Sequence, residues 1–470
     1  MEVYFMNLAY GVKDKPKFGQ LIVFAFQQLL AILAATIVVP VIVGHDMAQS
    51  AALFGAGIGT IVYQLFTKFR SPVFLGSSFA FLGSMAAAFA GGVSASLGYA
   101  GLILGAIFAG LVYVVIAIIV KIAGVNWINK LMPAAVIGPT VAIIGLSLAG
   151  NAVGDSLSGA TKLDDGTFLM TKNGWAFFIC AIVTLFVVMI CSVYGKKTAK
   201  LIPFIIGIAA GYAVATIFTL TGVAQVIDFS KFKDMTLFAI PQFTLRTGID
   251  GLSEISGSYV ATIAVAYVPV AFVVFAEHIA DHKNLSSIIG SELLEDPGLH
   301  RTLLGDGVGS MVGALFGGCP NTTYGESIGC VAITGNASVV TILTTAIIAI
   351  LASFFNPFIV LLGSIPSCVM GGVCITLYGF IAVSGLKMIQ NVDLGENRNL
   401  FVVAVVLIAG IGGMKLGIGT QSTFVTLTSV ACALILGIIT NLVLSKNDAK
   451  AKAPVAVEET AEPAAETDAE

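Results

Sequence analysis

Pro320-Asn-Thr-Thr-Tyr-Gly-Glu326 breaks an otherwise apolar region with a proline, a glycine, hydroxyl and amide side chains and a carboxylate. An earlier stretch, Phe74-Leu-Gly-Ser-Ser-Phe-Ala-Phe81, has the same make-up: glycine and hydroxyls beside aromatics, just ahead of an apolar helical run. Both read as extended backbone at membrane depth. Lipid cannot satisfy bare N–H and C=O groups, so such backbone persists only where protein buries it or where it lines a cavity. Two interruptions at matching places in the two halves of a chain point to an inverted repeat with a binding site at the midplane.

The rest of the chain supports that reading. Of its 470 residues, 57% are hydrophobic and 10% charged, and the mean hydropathy is +0.99, whereas soluble domains carry roughly 25% charged residues. At about 20 apolar residues per crossing, the apolar runs give fourteen spans: 18–44, 49–67, 76–92, 98–122, 128–150, 174–195, 199–221, 257–280, 300–317, 321–335, 338–356, 358–386, 399–414 and 422–446. The two interruptions then mark the third and tenth, each the third member of a seven-span half. An even count puts both termini on one side. With the termini in the cytoplasm, all but six of the 23 basic residues fall inside, the exceptions being Lys162, Lys172, Lys231, Lys233, Arg246 and Lys415. This is the bias that short loops display. The expectation is an all-α polytopic protein of the cell membrane, with the loops 151–173 and 222–256 outside as connectors.

The first apolar run is too long for a signal peptide and has no small-residue cleavage site, so it is expected to remain. The seven cysteines lie in or beside spans without CxxC spacing, which favours packed thiols. Glycines recur as pairs four apart, Gly55/Gly59 and Gly309/Gly313, a spacing that lets helices approach closely. Residues 447–470, rich in Glu, Ala and Pro, form an acidic tail expected to be disordered and cytoplasmic.

Chemistry enters with Phe275-Ala-Glu-His-Ile-Ala-Asp281. An ionised side chain at the centre of a membrane helix costs about 2.5–3.5 kcal/mol, so Glu277 needs a partner, an ion or a substrate. Glu277 and Asp281 are four apart and share a helix face, with His278 and His282 on an adjacent one. Asp281 and His282 are also placed to meet water where the span ends. If Glu277 and Glu326 face one cavity, they would tend to hold a proton between them, the basis for proton coupling. A protonated carboxyl donates to a carbonyl while a carboxylate accepts from an N–H, which suits a neutral planar molecule carrying adjacent amide groups. Phe79, Tyr324 and Tyr378 could wall its ring, and the backbone N–H groups of Phe79 and Gly325 could complete its hydrogen bonds. No further ligand completes a metal site. No phosphate-binding loop survives: Gly55-Ala-Gly57 is followed by Thr60, and Gly305-Asp-Gly307 by Ser310, where the fingerprint needs glycine. The absence of His-Glu-x-x-His and of a nucleophile–base pair argues against an enzyme.

The run Glu277-His-Ile, Asp296-Pro-Gly-Leu-His-Arg301, Pro320–Glu326 and Val369-Met-Gly-Gly-Val373, with Gly76-Ser-Ser-Phe-Ala-Phe81 and Ala35-Thr-Ile-Val-Val-Pro40, resembles the bacterial uracil permeases of the nucleobase-ascorbate transporter family. The resemblance covers residues 18–446. It implies two inverted sevens divided between a core domain (1–124 and 251–357) and a gate domain (125–250 and 358–446). It also implies proton or sodium symport without other cofactor, a homodimer in the bilayer, uracil as substrate, and no nucleic acid partner. Glu277 and Glu326 resemble the carboxylates that hold the base, with the backbones of Phe79 and Gly325 adding hydrogen bonds and Ala35, Tyr324 and Tyr378 packing on the ring. Glu326-Ser-Ile-Gly329 stands where the purine branch has Gln-Asn-x-Gly, which favours a pyrimidine over xanthine. Three positions depart from the family pattern: Ser327 for Asn, Gln28 for His, and Asp281, a possible member of the proton-coupling set, for a second His. Xanthine or another nucleobase, sodium coupling, and an anion channel or exchanger of the same build are the competing readings.

Overall fold

The computed structural model describes residues 8–445 except 125, 197, 234, 391, 421 and 422; the acidic tail 447–470 lies outside the described residues. In chain order the helices and strands are α1 (Phe18–Val43), α2 (Gln49–Phe66), β1 (Leu75–Ser77), α3 (Leu82–Ala88), α4 (Ala95–Ala123), α5 (Asn126–Leu131), α6 (Ala134–Ser147), α7 (Ala149–Ser156), β2 (Thr161–Lys162), β3 (Phe168–Leu169), α8 (Lys172–Tyr194), α9 (Thr198–Leu201), α10 (Pro203–Leu220), α11 (Thr244–Gly251), α12 (Gly257–Ile289), α13 (Leu299–Gly317), β4 (Asn321–Thr323), α14 (Gly325–Thr334), α15 (Val339–Phe354), α16 (Asn356–Gly363), α17 (Ser367–Ile389), α18 (Asn397–Ile411), β5 (Leu416–Thr420), β6 (Thr423–Leu427) and α19 (Ser429–Ser445). A 3-10 turn, Phe79–Phe81, joins β1 to α3. The fourteen expected segments are present among the described residues. Among the described residues, seven helical stretches are long and apolar enough to cross a membrane, one of them the α6–α7 pair; α2 and α13 match them in length but are less apolar, and the rest are shorter.

The splits follow local chemistry. Pro133 precedes α6 and Pro366 precedes α17; each lacks an N–H and starts a new helix rather than continuing the old one. The run 358–386 is therefore α16 plus α17, and 128–150 is a chain of shorter helices. The last two runs, expected as plain helices, enclose a β5–β6 hairpin. Within the loop 222–256, α11 is more than a connector: its Gly251 lies against the backbone of Ser96 with no room for a Cβ. The eighth span does not end at 280. Helix α12 continues to Ile289 because His278, His282, Leu285 and Ser286 are all buried, and it stops at Gly290, whose φ of +67° suits a left-handed cap.

Two helix groups pack separately. In one, α13 lies on α2 and α4, α15 on α1 and α2, and α12 on α4; in the other, α17 lies on α6, α7 and α8, α8 on α10, and α18 on α6 and α19. The glycine pairs explain the closest of these crossings. Gly55 faces the carbonyl of Gly313 and Gly59 that of Gly309, so α2 and α13 touch backbone to backbone. The side chain of Asn321 donates to the Gly55 carbonyl at 2.9 Å, tying β4 to the same crossing.

Within the first group, against α1, α2, α12 and α13, β1 and β4 pair antiparallel, Leu75 opposite Thr323, Gly76 opposite Thr322 and Ser77 opposite Asn321. The two interruptions thus satisfy each other's backbones, and Ser78 N–H extends the ladder to the Pro320 carbonyl at 2.9 Å. Gly76 is required here: a Cβ would overlap the Tyr324 ring, whose hydroxyl donates to the Ser77 carbonyl at 2.7 Å.

Candidate binding site

Each strand ends at the start of a helix, and both starts open on one cavity of about 440 Å³. Phe79, Glu277, Asp281, Tyr324, Gly325 and Glu326 line it. Six of the residues singled out in the sequence therefore meet in one place, although they come from three separate segments. Neither Phe79 nor Gly325 has a partner for its N–H among the described residues, as expected at a helix start, where the first N–H groups have no intrahelical acceptor. The Glu277 and Glu326 side chains likewise have no hydrogen bond to another described residue. Asp281 differs, because Thr323 Oγ1 donates to its Oδ2 at 2.6 Å. Asp281 is thus held by β4 and lies two turns inside α12, not at the helix end where it would simply meet water.

Two expected ring contacts are absent from the lining. Tyr378 is buried behind Phe79, with ring centroids 5.9 Å apart and edge-to-face, while Leu377, Phe380 and Ile381 of α17 take the cavity surface. Ala35 is buried in α1, and Ala31, one turn earlier, reaches the cavity in its place. Sequence reasoning missed Lys200, Thr322 and Ser384, all of which line the cavity. No spacing in the sequence signals that α9 brings Lys200 to the cavity.

The far face of α12 carries a network with no direct access to the cavity. His278, His282, Thr302 and Asp306 are all fully buried. His278 Nδ1 lies 2.7 Å from Asp306 Oδ2, and its Nε2 lies 2.9 Å from Thr302 Oγ1. His282 Nδ1 donates to the His278 carbonyl at 2.8 Å; because a carbonyl only accepts, this leaves Nε2 facing the Tyr63 hydroxyl at 2.7 Å. His282 is therefore a packed, bonded histidine and not an interfacial one. Asp306 could have been found by the argument that singled out Glu277, since it too is a carboxylate inside an apolar run.

Two of the departures from the family pattern meet one another. Gln28 Nε2 donates to Ser327 Oγ at 2.5 Å, and Ser327 Oγ also accepts from Phe74 N–H at 3.1 Å. The shorter Ser327 and the amide of Gln28 together bridge α1, the entry to β1, and α14.

Residues 19–418 match the Xan_ur_permease model, described as a permease family. A uracil permease of Bacillus caldolyticus is 41% identical over 436 residues, which cover 92% of this chain and 94% of that protein. Uracil permeases of Bacillus subtilis (strain 168) and Escherichia coli (strain K12) are 38% and 35% identical over 92% and 93% of this chain, each covered over 94% of its length. Among solved structures, the transmembrane domain of a cyanobacterial bicarbonate transporter, BicA, superposes with a TM-score of 0.61 at 14% identity, covering 85% of this chain and 98% of that one. The murine anion transporter Slc26a9 gives 0.64 at 11% identity, covering 93% and 69%. These two likenesses speak for the fold alone.

Proposed function

Because the chain belongs to the permease family and is a multi-pass nucleobase transporter of that family, we propose that it imports uracil together with a proton by alternating access. The observation that carries this reading is the meeting of Glu277, Glu326 and the unpartnered N–H groups of Phe79 and Gly325 at one cavity. A planar base with adjacent N–H and C=O groups matches that set. One backbone N–H donates to each of the two ring carbonyls, a carboxylate accepts from a ring N–H, and a protonated carboxyl donates to the second lone pair of one of those carbonyls. One proton shared within the acid set therefore travels with the base, because the complete hydrogen-bond pattern needs one acid neutral. Release follows when that proton is lost and one donor becomes an acceptor.

In this scheme α1 to α4 and α12 to α15 act as the core carrying the base, and α6 to α10 with α17 to α19 act as the gate. Both termini are cytoplasmic, so the Lys200 end of the cavity opens inward. Three acids at the cavity disfavour an anionic cargo, although the two structural likenesses are both to anion carriers.

The deciding experiment is radiolabelled uracil uptake into proteoliposomes under an imposed pH gradient, with and without sodium, and with excess unlabelled xanthine. The expected result is gradient-driven uptake that is indifferent to sodium and to xanthine. Sodium-dependent uptake would overturn proton coupling and make Asp281 an ion-site residue, and competition by xanthine would move the substrate to the purines.

A further inference from the structure

A second cavity, of about 660 Å³, lies end to end with the first. The two take different stretches of the same helices. Ala31 of α1 lines the first, while Ile42 and Val43, at the end of that helix, line the second; along α6, Val141 faces the first and Ser147 the second. Phe79, Ala80 and Ile144 line both. These three residues therefore stand at the boundary between the cavities. Resting on the transport reading above, we infer that the second cavity is the outer vestibule through which the base arrives, and that the layer of Phe79, Ala80 and Ile144 is the seal between vestibule and binding cavity.

The two sides of the seal come from different helix groups. Phe79 and Ala80 belong to the 3-10 turn after β1, which moves with Tyr324 and the carboxylates. Ile144 belongs to α6, which is locked to α17: at Gly145 a Cβ would overlap the carbonyl of Tyr378 and the amide N of Ala382. Helix α6 therefore cannot slide along α17 to open the path, and the seal parts only when one group shifts against the other as a unit. The vestibule is chemically unlike the binding cavity. None of its lining residues is acidic, and its polar groups are Ser84, Ser147, Asn151, Lys415, Thr428 and Ser429. Ser147 is already bonded, through its hydroxyl, to the Ile144 carbonyl at 2.9 Å. Such a lining admits a neutral base without holding it, and leaves specific recognition to the acids beyond the seal.

The test is sided cysteine labelling of the full-length protein in right-side-out and inside-out vesicles with a membrane-impermeant thiosulfonate. Labelling is read above that of the parent, whose Cys330 lines the inner cavity. Ser147→Cys should react from one side only and Ser384→Cys from the other only. Adding Ile144→Gly should make Ser384→Cys reactive from both sides and let uracil equilibrate without a pH gradient, whereas Ile144→Val should keep the sidedness. Size-exclusion profiles of the variants verify folding. Reaction of both cysteines from the same side, or unchanged sidedness with Ile144→Gly, would overturn the seal. Absence of uracil uptake by the parent would overturn the transport reading instead, and the labelling result would stand by itself.

Discussion

The turn from β1 into Phe79–Phe81 and the turn from β4 into α14 are counterparts in the two halves of the molecule. Each leaves a three-residue strand at the same antiparallel ladder, and each delivers the start of a helix to the same cavity. Their side chains differ. The first turn presents Phe79-Ala-Phe81, wholly apolar, and the second presents Tyr324-Gly-Glu326. The backbone device repeats because bare N–H and C=O groups at membrane depth leave few ways of being satisfied. Side-chain chemistry is under no such constraint, so both turns offer a backbone N–H to the cavity while only the second adds a carboxylate.

The comparison can be broken at its shared part. Gly76→Val should give the largest effect, because the added side chain overlaps the Tyr324 ring on which both turns rest. Loss of inserted, monodisperse protein in detergent is the expected outcome, and a well-behaved variant would show that the ladder tolerates separation. Next, Glu326→Gln and Glu277→Gln should each cut uracil uptake about 10- to 100-fold, the worth of a hydrogen bond to a charged group of roughly 1.5–3 kcal/mol, with insertion intact on immunoblots of membranes. Normal uptake by Glu326→Gln would remove the functional difference between the turns, and normal uptake by both variants would remove the carboxylates from the site. A subtler change is expected from Asp281→Ala, which should move the pH dependence of uptake more than the apparent affinity; Thr323→Val should shift the profile the same way by less. An unchanged profile in both would make Asp281 a structural residue.

The smallest effect concerns what holds the second turn. In a double-mutant cycle of Gln28→Ala and Ser327→Ala, thermal stability should show a coupling of about 1 kcal/mol. Strict additivity would mean that the Gln28–Ser327 hydrogen bond contributes no net stability.

Much of the fold was legible because a bilayer enforces its own rules. Span lengths and the two interruptions each follow from the cost of placing polar groups in lipid. Helix ends were less legible: α12 runs on to Ile289 because of packing against α13 and α2, and no local signal marks that. In the site, Glu277 and Glu326 stood out as carboxylates in apolar runs, whereas Lys200 and Ser384 are ordinary residues made relevant by where α9 and α17 lie. Tyr378 and Ala35 were expected on the cavity surface and sit behind it, because a sequence shows which ring is available but not which layer it occupies.

Membrane class and the positions of Glu277 and Glu326 as carboxylates in apolar runs were readable from the sequence alone, since each rests on the free energy of placing a given residue type in lipid. Tertiary structure decided the pairing of β1 with β4, the meeting of Gln28 with Ser327, the closed network of His278 with Asp306, and the layer of Phe79, Ala80 and Ile144 between two cavities. All four depend on contacts between segments distant in the chain, and side-chain chemistry alone carries no information about which distant segment will be the neighbour.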